Sequence, residues 1–247
     1  MCEITTFIFF IYGIIFGSFF NVVGLRVPNN SLFSPTRSYC DTCQRTLTWK
    51  ELIPIVSYIF QKGKCRKCKE SISAIYPIME LTTGLLAAYT FYRYGWSREL
   101  LFGLVLISLV VPLTVSDLAY RKIPNKILLF FCPLFLLLRM DDFVQALLGA
   151  TVAFVILFLV TLLSKGGMGA GDLKYFTLLG FIFGTYPFLL LFFLSTLYGA
   201  VGGIIVMAVK KSGRKTKIPF GPFIGLAALT VFYFGEGIIQ WYLVLLS

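Results

Sequence analysis

Apolar and polar positions are distributed along this chain in long blocks. Apolar runs of about 20 residues, the length of a helix that crosses a membrane, alternate with shorter polar segments. The pattern predicts eight membrane-spanning helices. The run at 173–209 is too long for one span and is expected to break at Gly184-Thr185-Tyr186-Pro187. The predicted spans are residues 4–23, 74–92, 99–116, 127–138, 143–163, two within 173–209, and 220–246, and the fourth and sixth are short.

Composition agrees with this pattern. Hydrophobic residues make up 58% of the chain and charged residues 13%, and the mean hydropathy is +0.86, a balance that soluble domains do not have. The expected fold is all-α, a polytopic membrane bundle of about eight transmembrane helices. The first span has no basic segment before it and no small-residue cleavage site after it, so we expect it to be a retained helix. The polar stretch 26–73 is the one segment large enough for an extramembrane domain.

The basic residues predict the orientation of these spans. If the 26–73 loop faces the cytosol and the spans alternate from there, the inside loops contain all but three of the 22 basic residues. The three on the outside are Arg93, Arg98 and Arg139. Because cytoplasmic loops are enriched in lysine and arginine, this asymmetry favours a cytosolic loop. It also accounts for the net charge of +11 without nucleic acid, and the basic loops are suited to hold anionic membrane lipid.

Two aspartates lie at the predicted cytoplasmic boundary of the membrane. Asp117 follows the third span, and Asp172 precedes the sixth. Asp172 closes a loop with four glycines, which are Gly166, Gly167, Gly169 and Gly171. The glycines permit tight bending and close backbone approach, and the carboxylate is placed to cap the helix that follows. The matching depth of Asp117 and Asp172 is necessary for a shared site but does not prove one.

Four cysteines in the 26–73 loop form two C-x-x-C pairs, Cys40 with Cys43 and Cys65 with Cys68. Paired knuckles of this kind are typical of a structural four-cysteine zinc site. The alternative is two disulfides, which a reducing cytosol disfavours. Such a zinc site is closed, so it would fold the loop and perform no chemistry.

Smaller features leave alternatives open. Glu80 lies one or two turns inside the second span and is either functional or directed back to the basic loop surface. Lys174 is placed either to stabilise an ionised Asp172 or to anchor its helix at the headgroups. Gly199 and Gly203 favour a helix-packing face over a site. Histidine is absent from the chain, which excludes nucleophile–histidine pairs and histidine metal ligands.

Together these residues resemble a type IV prepilin peptidase, a membrane aspartic protease of the GxGD type. Five segments carry the resemblance, over about residues 13–228. They are Gly17-Ser18-Phe19-Phe20-Asn21 with Arg26-Val27-Pro28, the four cysteines with Tyr76-Pro77 and Glu80, Asp117 with Ile123-Pro124-Asn125, Gly169-Ala170-Gly171-Asp172, and Lys217-Ile218-Pro219-Phe220-Gly221-Pro222. Asn125 stands where many members have Asp. A compact chain with Asn at this position resembles most the competence-pseudopilin branch of Gram-positive bacteria.

The resemblance implies an enzyme of the bacterial cytoplasmic membrane with its active site facing the cytosol. Asp117 and Asp172 would be catalytic, supported by Gly169, Gly171 and Lys174. The substrates would be prepilins or pseudopilins, whose short basic leaders are removed. The resemblance also implies N-methylation of the new amino terminus with S-adenosylmethionine. That activity is associated with residues 1–95 and the peptidase with residues 96–247.

Two other classes of protein fit parts of the same pattern. Two membrane aspartates in a helical bundle are also found in ion-coupled transporters. A membrane scaffold held by zinc and without catalysis is the third possibility. Ion flux without cleavage would favour the transporter, and the absence of both activities would favour the scaffold.

Overall fold

The computed structural model describes residues 2–32, 37–40, 42–164, 167–210 and 218–246. Within these ranges the chain is helical, and its β-structure consists of isolated bridges between Tyr39 and Thr46 and between Lys64 and Ser71. The helices, in chain order, are α1 Cys2–Arg26, α2 Val56–Phe60, α3 Ile75–Tyr94, α4 Arg98–Tyr120, α5 Asn125–Leu138, α6 Phe143–Leu163, α7 Ala170–Phe183, α8 Thr185–Lys210 and α9 Gly221–Leu246. The prediction of an all-α fold is confirmed.

Every predicted span coincides with a helix, because each apolar run is bounded by residues that end helices. Gly184, for example, separates α7 from α8 as predicted and has a φ of +77°, a conformation that glycine adopts without steric cost. Among the described residues, α1, α4, α6, α8 and α9 are long and apolar enough to cross a membrane. The chain is therefore a multi-pass membrane protein, and the count of eight spans stays a prediction.

By its internal contacts the chain divides into two compact units, Met1–Val115 and Ser116–Ser247. The functional division predicted at residue 95 stays a prediction. In the first unit, α1 and α3 approach closely along a face of small residues. A Cβ on Gly13 would lie 2.8 Å from Ala87 Cβ, and one on Gly17 would lie 2.9 Å from Glu80 Cα. The small residues Gly13 and Gly17 thus allow α1 and α3 to pack closely.

In the second unit the short helix α7 forms the core. Its side chains Tyr175, Phe176, Leu179 and Ile182 are fully buried, so the helix is enclosed by protein beyond its first turn, where Asp172 and Lys174 lie. Gly199 of α8 lies against the Phe220 ring at the start of α9. This contact agrees with the packing role predicted for the glycines of α8. It also fixes the position of the start of α9, which lies beside Asp117.

Candidate active site and cysteine cluster

Asp117 lies in the last turn of α4 and is 5% exposed. Asp117 was predicted to follow the third span at residue 116; the helix continues four residues further, through Tyr120, and the position of the membrane boundary stays a prediction. The helix ends where Arg121 adopts a left-handed φ of +54° and donates its N–H to the Asp117 carbonyl at 2.8 Å. The Ser116 hydroxyl donates to the Lys122 carbonyl at 2.7 Å. The backbone on both sides of Asp117 is therefore held in place.

The Asp117 carboxylate meets the amino terminus of α9. Gly221, the first residue of α9, donates its N–H to Asp117 Oδ2 at 2.7 Å in a buried hydrogen bond, and the Phe220 N–H also points to this carboxylate. The first N–H groups of a helix have no partner inside the helix and favour a negative charge. A Cβ on Gly221 would lie 2.9 Å from Oδ2, so this close approach requires glycine.

Asp172 is the third residue of α7 and is half-buried. The expectation that it caps the helix is wrong, because the cap position is Gly169 and no side chain caps the helix there. The described glycines of this loop do not use the left-handed region either; Gly169 has a φ of −67°. They provide space instead. A Cβ on Gly169 would lie 3.3 Å from Asp172 Oδ2, and one on Gly171 would lie 3.1 Å from Ile123 Cβ. Gly166 lies outside the described residues.

The segment between α4 and α5 joins the two aspartates. Gly171 packs against Ile123, and Lys174 Nζ donates to Asn125 Oδ1 at 3.2 Å. The start of α7 is thereby held beside the end of α4, and the charge of Asp117 acts on Asp172. Among the described residues Lys174 forms no ion pair with Asp172. Lys174 therefore fixes the segment and does not neutralise the carboxylate.

The two carboxylates differ in their hydrogen bonds. Asp117 accepts from the backbone of α9, whereas within the described ranges the Asp172 carboxylate accepts no hydrogen bond. Hydrogen bonds to an ionised carboxylate stabilise its charge. Two carboxylates close together do not both ionise at low cost. The arrangement favours a negative charge on Asp117 and a proton on Asp172.

The four cysteines of the loop come together as predicted. Their sulfur atoms all lie within 4.8 Å of one another, and Cys40 Sγ and Cys68 Sγ are 3.6 Å apart. Tetrahedral zinc with Zn–S bonds of about 2.3 Å requires sulfurs about 3.8 Å apart, so this donor set fits zinc. All four are free thiols. The disulfide alternative is therefore not what the structure shows.

Both cysteine pairs sit in the same kind of turn. The Cys40 N–H donates to the Arg45 carbonyl at 3.0 Å, and the Cys65 N–H donates to the Glu70 carbonyl at 2.8 Å. The backbone N–H groups of Cys68 and Lys67 point at Cys65 Sγ and lower the pKa of this thiol to about 6. Backbone N–H groups lower the pKa of Cys40 in the same way. The turns thus favour the thiolate form of the first cysteine of each pair, and it is the thiolate that binds metal. The pKa of Cys68 is instead raised, by burial and by the neighbouring cysteines.

An ion pair that the sequence analysis missed supports the cluster. Arg45 forms a bidentate pair with Glu51, at 2.6 and 3.1 Å, and Glu51 also accepts from the Thr48 N–H and hydroxyl at 2.9 Å. The hydrogen bond from Arg45 lowers the pKa of Glu51 to about 2. The signal in the sequence was Thr48-x-x-Glu51, the pattern of a capping box.

Glu80 is 7% exposed and accepts a hydrogen bond from the Ile55 N–H at 2.7 Å. Of the two alternatives stated for Glu80, the structure thus shows a side chain directed to the loop. Its partner there is the backbone N–H of Ile55 and not a basic side chain. Gly221 and Ser116 were missed as parts of the aspartate site. Gly221 occurred only within a carboxyl-terminal motif, and Ser116 within an apolar span. Lys217 of that motif lies outside the described residues.

The fold and these groups define a helical membrane protein with a carboxylate pair in one unit and a four-cysteine cluster in the other. The family model described as bacterial peptidase A24 N-terminal domain matches residues 11–94. The model described as type IV leader peptidase family matches residues 104–204. The chain belongs to the type IV leader peptidase family, so the resemblance stated from the motifs is confirmed.

Several similar proteins bear the name prepilin leader peptidase/N-methyltransferase. The one from Bacillus subtilis strain 168 is 39% identical over 240 residues, which cover 96% of this chain and 97% of that protein. The one from Xanthomonas campestris pv. campestris is 32% identical over 263 residues, covering 94% and 92%. The one from Aeromonas salmonicida is 32% identical over 272 residues, covering 95% and 92%. No solved structure matches the chain.

Proposed function

We propose that this chain removes the leader from type IV prepilins or pseudopilins and N-methylates the amino terminus that cleavage exposes. The observation that carries the proposal is the 39% identity, over nearly the full length of both chains, to a prepilin leader peptidase/N-methyltransferase. The carboxylate pair supplies the groups that an aspartic peptidase needs, and the chain has no histidine that would serve a different hydrolytic mechanism.

In the proposed peptidase reaction, Asp117 is the ionised carboxylate and Asp172 carries the proton. Asp117 takes a proton from a water molecule, and the water oxygen attacks the scissile carbonyl carbon. Asp172 donates its proton to the carbonyl oxygen, so a tetrahedral intermediate forms without full charge on oxygen. When the intermediate collapses, the C–N bond breaks, the leaving amine takes the proton held by Asp117, and a hydroxyl proton of the intermediate returns to Asp172. The hydrogen bond from Gly221 to Asp117 supports this division of roles.

The proposed methyl transfer belongs to the amino-terminal region, residues 1–95. S-adenosylmethionine supplies the methyl group, as the methyltransferase name of the relatives implies. The proposed metal is a structural zinc ion held by Cys40, Cys43, Cys65 and Cys68, whose sulfurs have a suitable spacing. Four thiolates leave no open coordination position, so the metal would stabilise the loop.

The proposed location is the bacterial cytoplasmic membrane, with the aspartates and the cysteine loop on the cytosolic side. The distribution of lysine and arginine supports this orientation. A cysteine introduced at Ser97 should react with an impermeant reagent added to intact cells, whereas one introduced at Ser73 should be protected. Labelling of the cysteine at position 73 only would indicate the opposite orientation in the membrane. The proposed partners are prepilin or pseudopilin precursors and membrane lipid, with no role for nucleic acid.

The test is incubation of the purified protein with a leader-bearing pseudopilin and S-adenosylmethionine, followed by mass spectrometry of the new amino terminus. The proposal predicts a product that has lost the leader and gained one methyl group. Proteoliposomes of the same preparation should show no coupled ion flux. Ion flux without cleavage would support a transporter, and neither activity would support a scaffold; no observation on the molecule favours either.

A further inference from the structure

Three polar side chains lie between α1 and α3 in the first unit, where two membrane helices would ordinarily bury apolar groups. Ser18 and Asn21 are on α1, and Glu80 is on α3. Asn21 is 4% exposed and Glu80 is 7% exposed. Gly17 makes the arrangement possible, because a side chain there would collide with the backbone of Glu80. The peptidase mechanism uses none of these residues.

Glu80 has hydrogen-bond donors but no cation as a partner among the described residues. Its carboxylate accepts from the Ile55 N–H at 2.7 Å and from the Ser18 hydroxyl. Within the described ranges no lysine or arginine forms an ion pair with it. Ile55 holds a φ of +59°, a strained conformation for a β-branched residue. A buried carboxylate without a paired cation is costly, so its occurrence here calls for a partner.

Asn21 supplies a second acceptor about one helical turn away. Its Nδ2 donates to the Tyr76 carbonyl at 3.1 Å, and its buried Oδ1 has no partner among the described residues. Tyr76 precedes Glu80 by four residues on α3, and Ser18 precedes Asn21 by three on α1. The contacts Ser18–Glu80 and Asn21–Tyr76 are therefore about one helical turn apart. The cluster combines a carboxylate with an unsatisfied amide oxygen.

We propose that Glu80 and Asn21 form a binding site for a primary ammonium group, and that its occupant is the α-amino group of the processed prepilin. The inference rests on the proposed function, because a methyltransferase must hold the amine that it methylates. An ammonium group has three donors and no acceptor, which complements the Glu80 carboxylate and the Asn21 Oδ1, because the donors of the cluster are already engaged. Its charge would also supply the cation that Glu80 lacks.

The test compares binding of two short apolar peptides without lysine or arginine to the full-length protein in detergent. One has a free α-amino group and the other is N-acetylated. We expect the wild type to bind the free amine at least about tenfold more tightly, since a hydrogen bond to a charged group contributes that much or more. In Glu80→Gln, which keeps an acceptor for the Ile55 N–H but loses the charge, the preference should fall to about onefold.

Two controls make the result decisive. Glu99→Gln makes the same change at an exposed glutamate of the same unit and should keep the preference. An N-acetylated peptide with one lysine tests the other source of an ammonium group. An unchanged preference in Glu80→Gln, no preference in the wild type, or equal dependence on Glu80 for the lysine peptide would each overturn the proposal.

The binding measurement separates this proposal from the proposed function. Leader cleavage and methyl transfer by the wild type are measured on the same preparation. If the wild type does neither while the amine preference depends on Glu80, the proposed function fails and the ammonium site stands. If the wild type does both and Glu80→Gln methylates the free-amine peptide as fast as the wild type, the ammonium site fails and the proposed function stands.

Discussion

The cysteine cluster is built within one loop of the first unit, whereas the aspartate pair takes groups from three distant stretches of the second. Two short turns bring the four sulfurs together, each closed by a backbone hydrogen bond beside its own cysteines. Asp117, Asp172 and the Gly221 N–H come from the end of α4 and the starts of α7 and α9. A local site survives changes elsewhere in the chain, but a site made of helix ends depends on how the helices pack.

The largest expected effect concerns the carboxylates. Asp117→Asn and Asp172→Asn should each reduce leader cleavage by about 10³-fold or more, because an amide neither accepts the proton nor shares it and the pair acts as one unit. Methylation of a peptide that already lacks its leader should continue, since the methyl-transfer region is proposed to lie in residues 1–95. Cleavage at near the wild-type rate by either variant would refute the assignment.

Removal of the metal ligands should affect the cysteine cluster and the methyl transfer proposed for the first unit. Replacing Cys40 and Cys65 together by Ser should abolish zinc binding and loosen the loop, because such a site contributes folding energy directly. Methyl transfer should be weakened or lost, and residual cleavage should persist. Metal analysis, cleavage and methyl transfer are measured on the same samples. Loss of all cleavage together with zinc would show that the loop belongs to the peptidase site, and a wild type without zinc would contradict the structural metal.

Gly221→Ala tests the contact between α9 and Asp117. The added Cβ would lie 2.9 Å from Asp117 Oδ2, so the carboxylate or α9 must move. A displacement of about 1 Å in a catalytic group costs about 10²-fold in rate, and we expect a loss of that size in kcat. The matched control is Gly237→Ala on the same helix, where nothing lies within 4 Å of the new Cβ. Equal cleavage rates for the two variants would show that the start of α9 does not contribute to the active site.

The smallest expected effect is on the loop ion pair. Glu51→Gln keeps the hydrogen bonds to Thr48 but loses the charge that faces Arg45, and we expect a loss of about 1 kcal/mol of loop stability. The pKa of Glu51 is lowered from 4.5 to about 2, so its contribution is complete above pH 4.5 and is lost as the pH falls towards 2. Hydrogen exchange in the loop should show a difference between the proteins at pH 7 that shrinks across this window. A pH-independent difference would contradict the ion pair.

The helices and the cysteine cluster were predictable because their signals are local. Apolar runs, glycine breaks and the C-x-x-C spacing lie within short stretches, and the helix bounds follow them closely. The bond between Gly221 and Asp117 joins residues 104 positions apart, and no local pattern contains it. The capping role expected of Asp172 was wrong for a related reason. The helix begins at Ala170, with Gly169 in the cap position, so Asp172 already lies in its first turn. The glycines leave room for close packing, and these contacts are not visible in the sequence.

The central claim is that Asp117 and Asp172 work as one pair. The direct test is the rate of leader cleavage by the two single Asp→Asn variants and by the double variant, on one substrate and at one pH. Residues that act as a unit are strongly non-additive, so the double variant should cleave no more slowly than the slower single variant. Losses that multiply in the double variant would contradict the account.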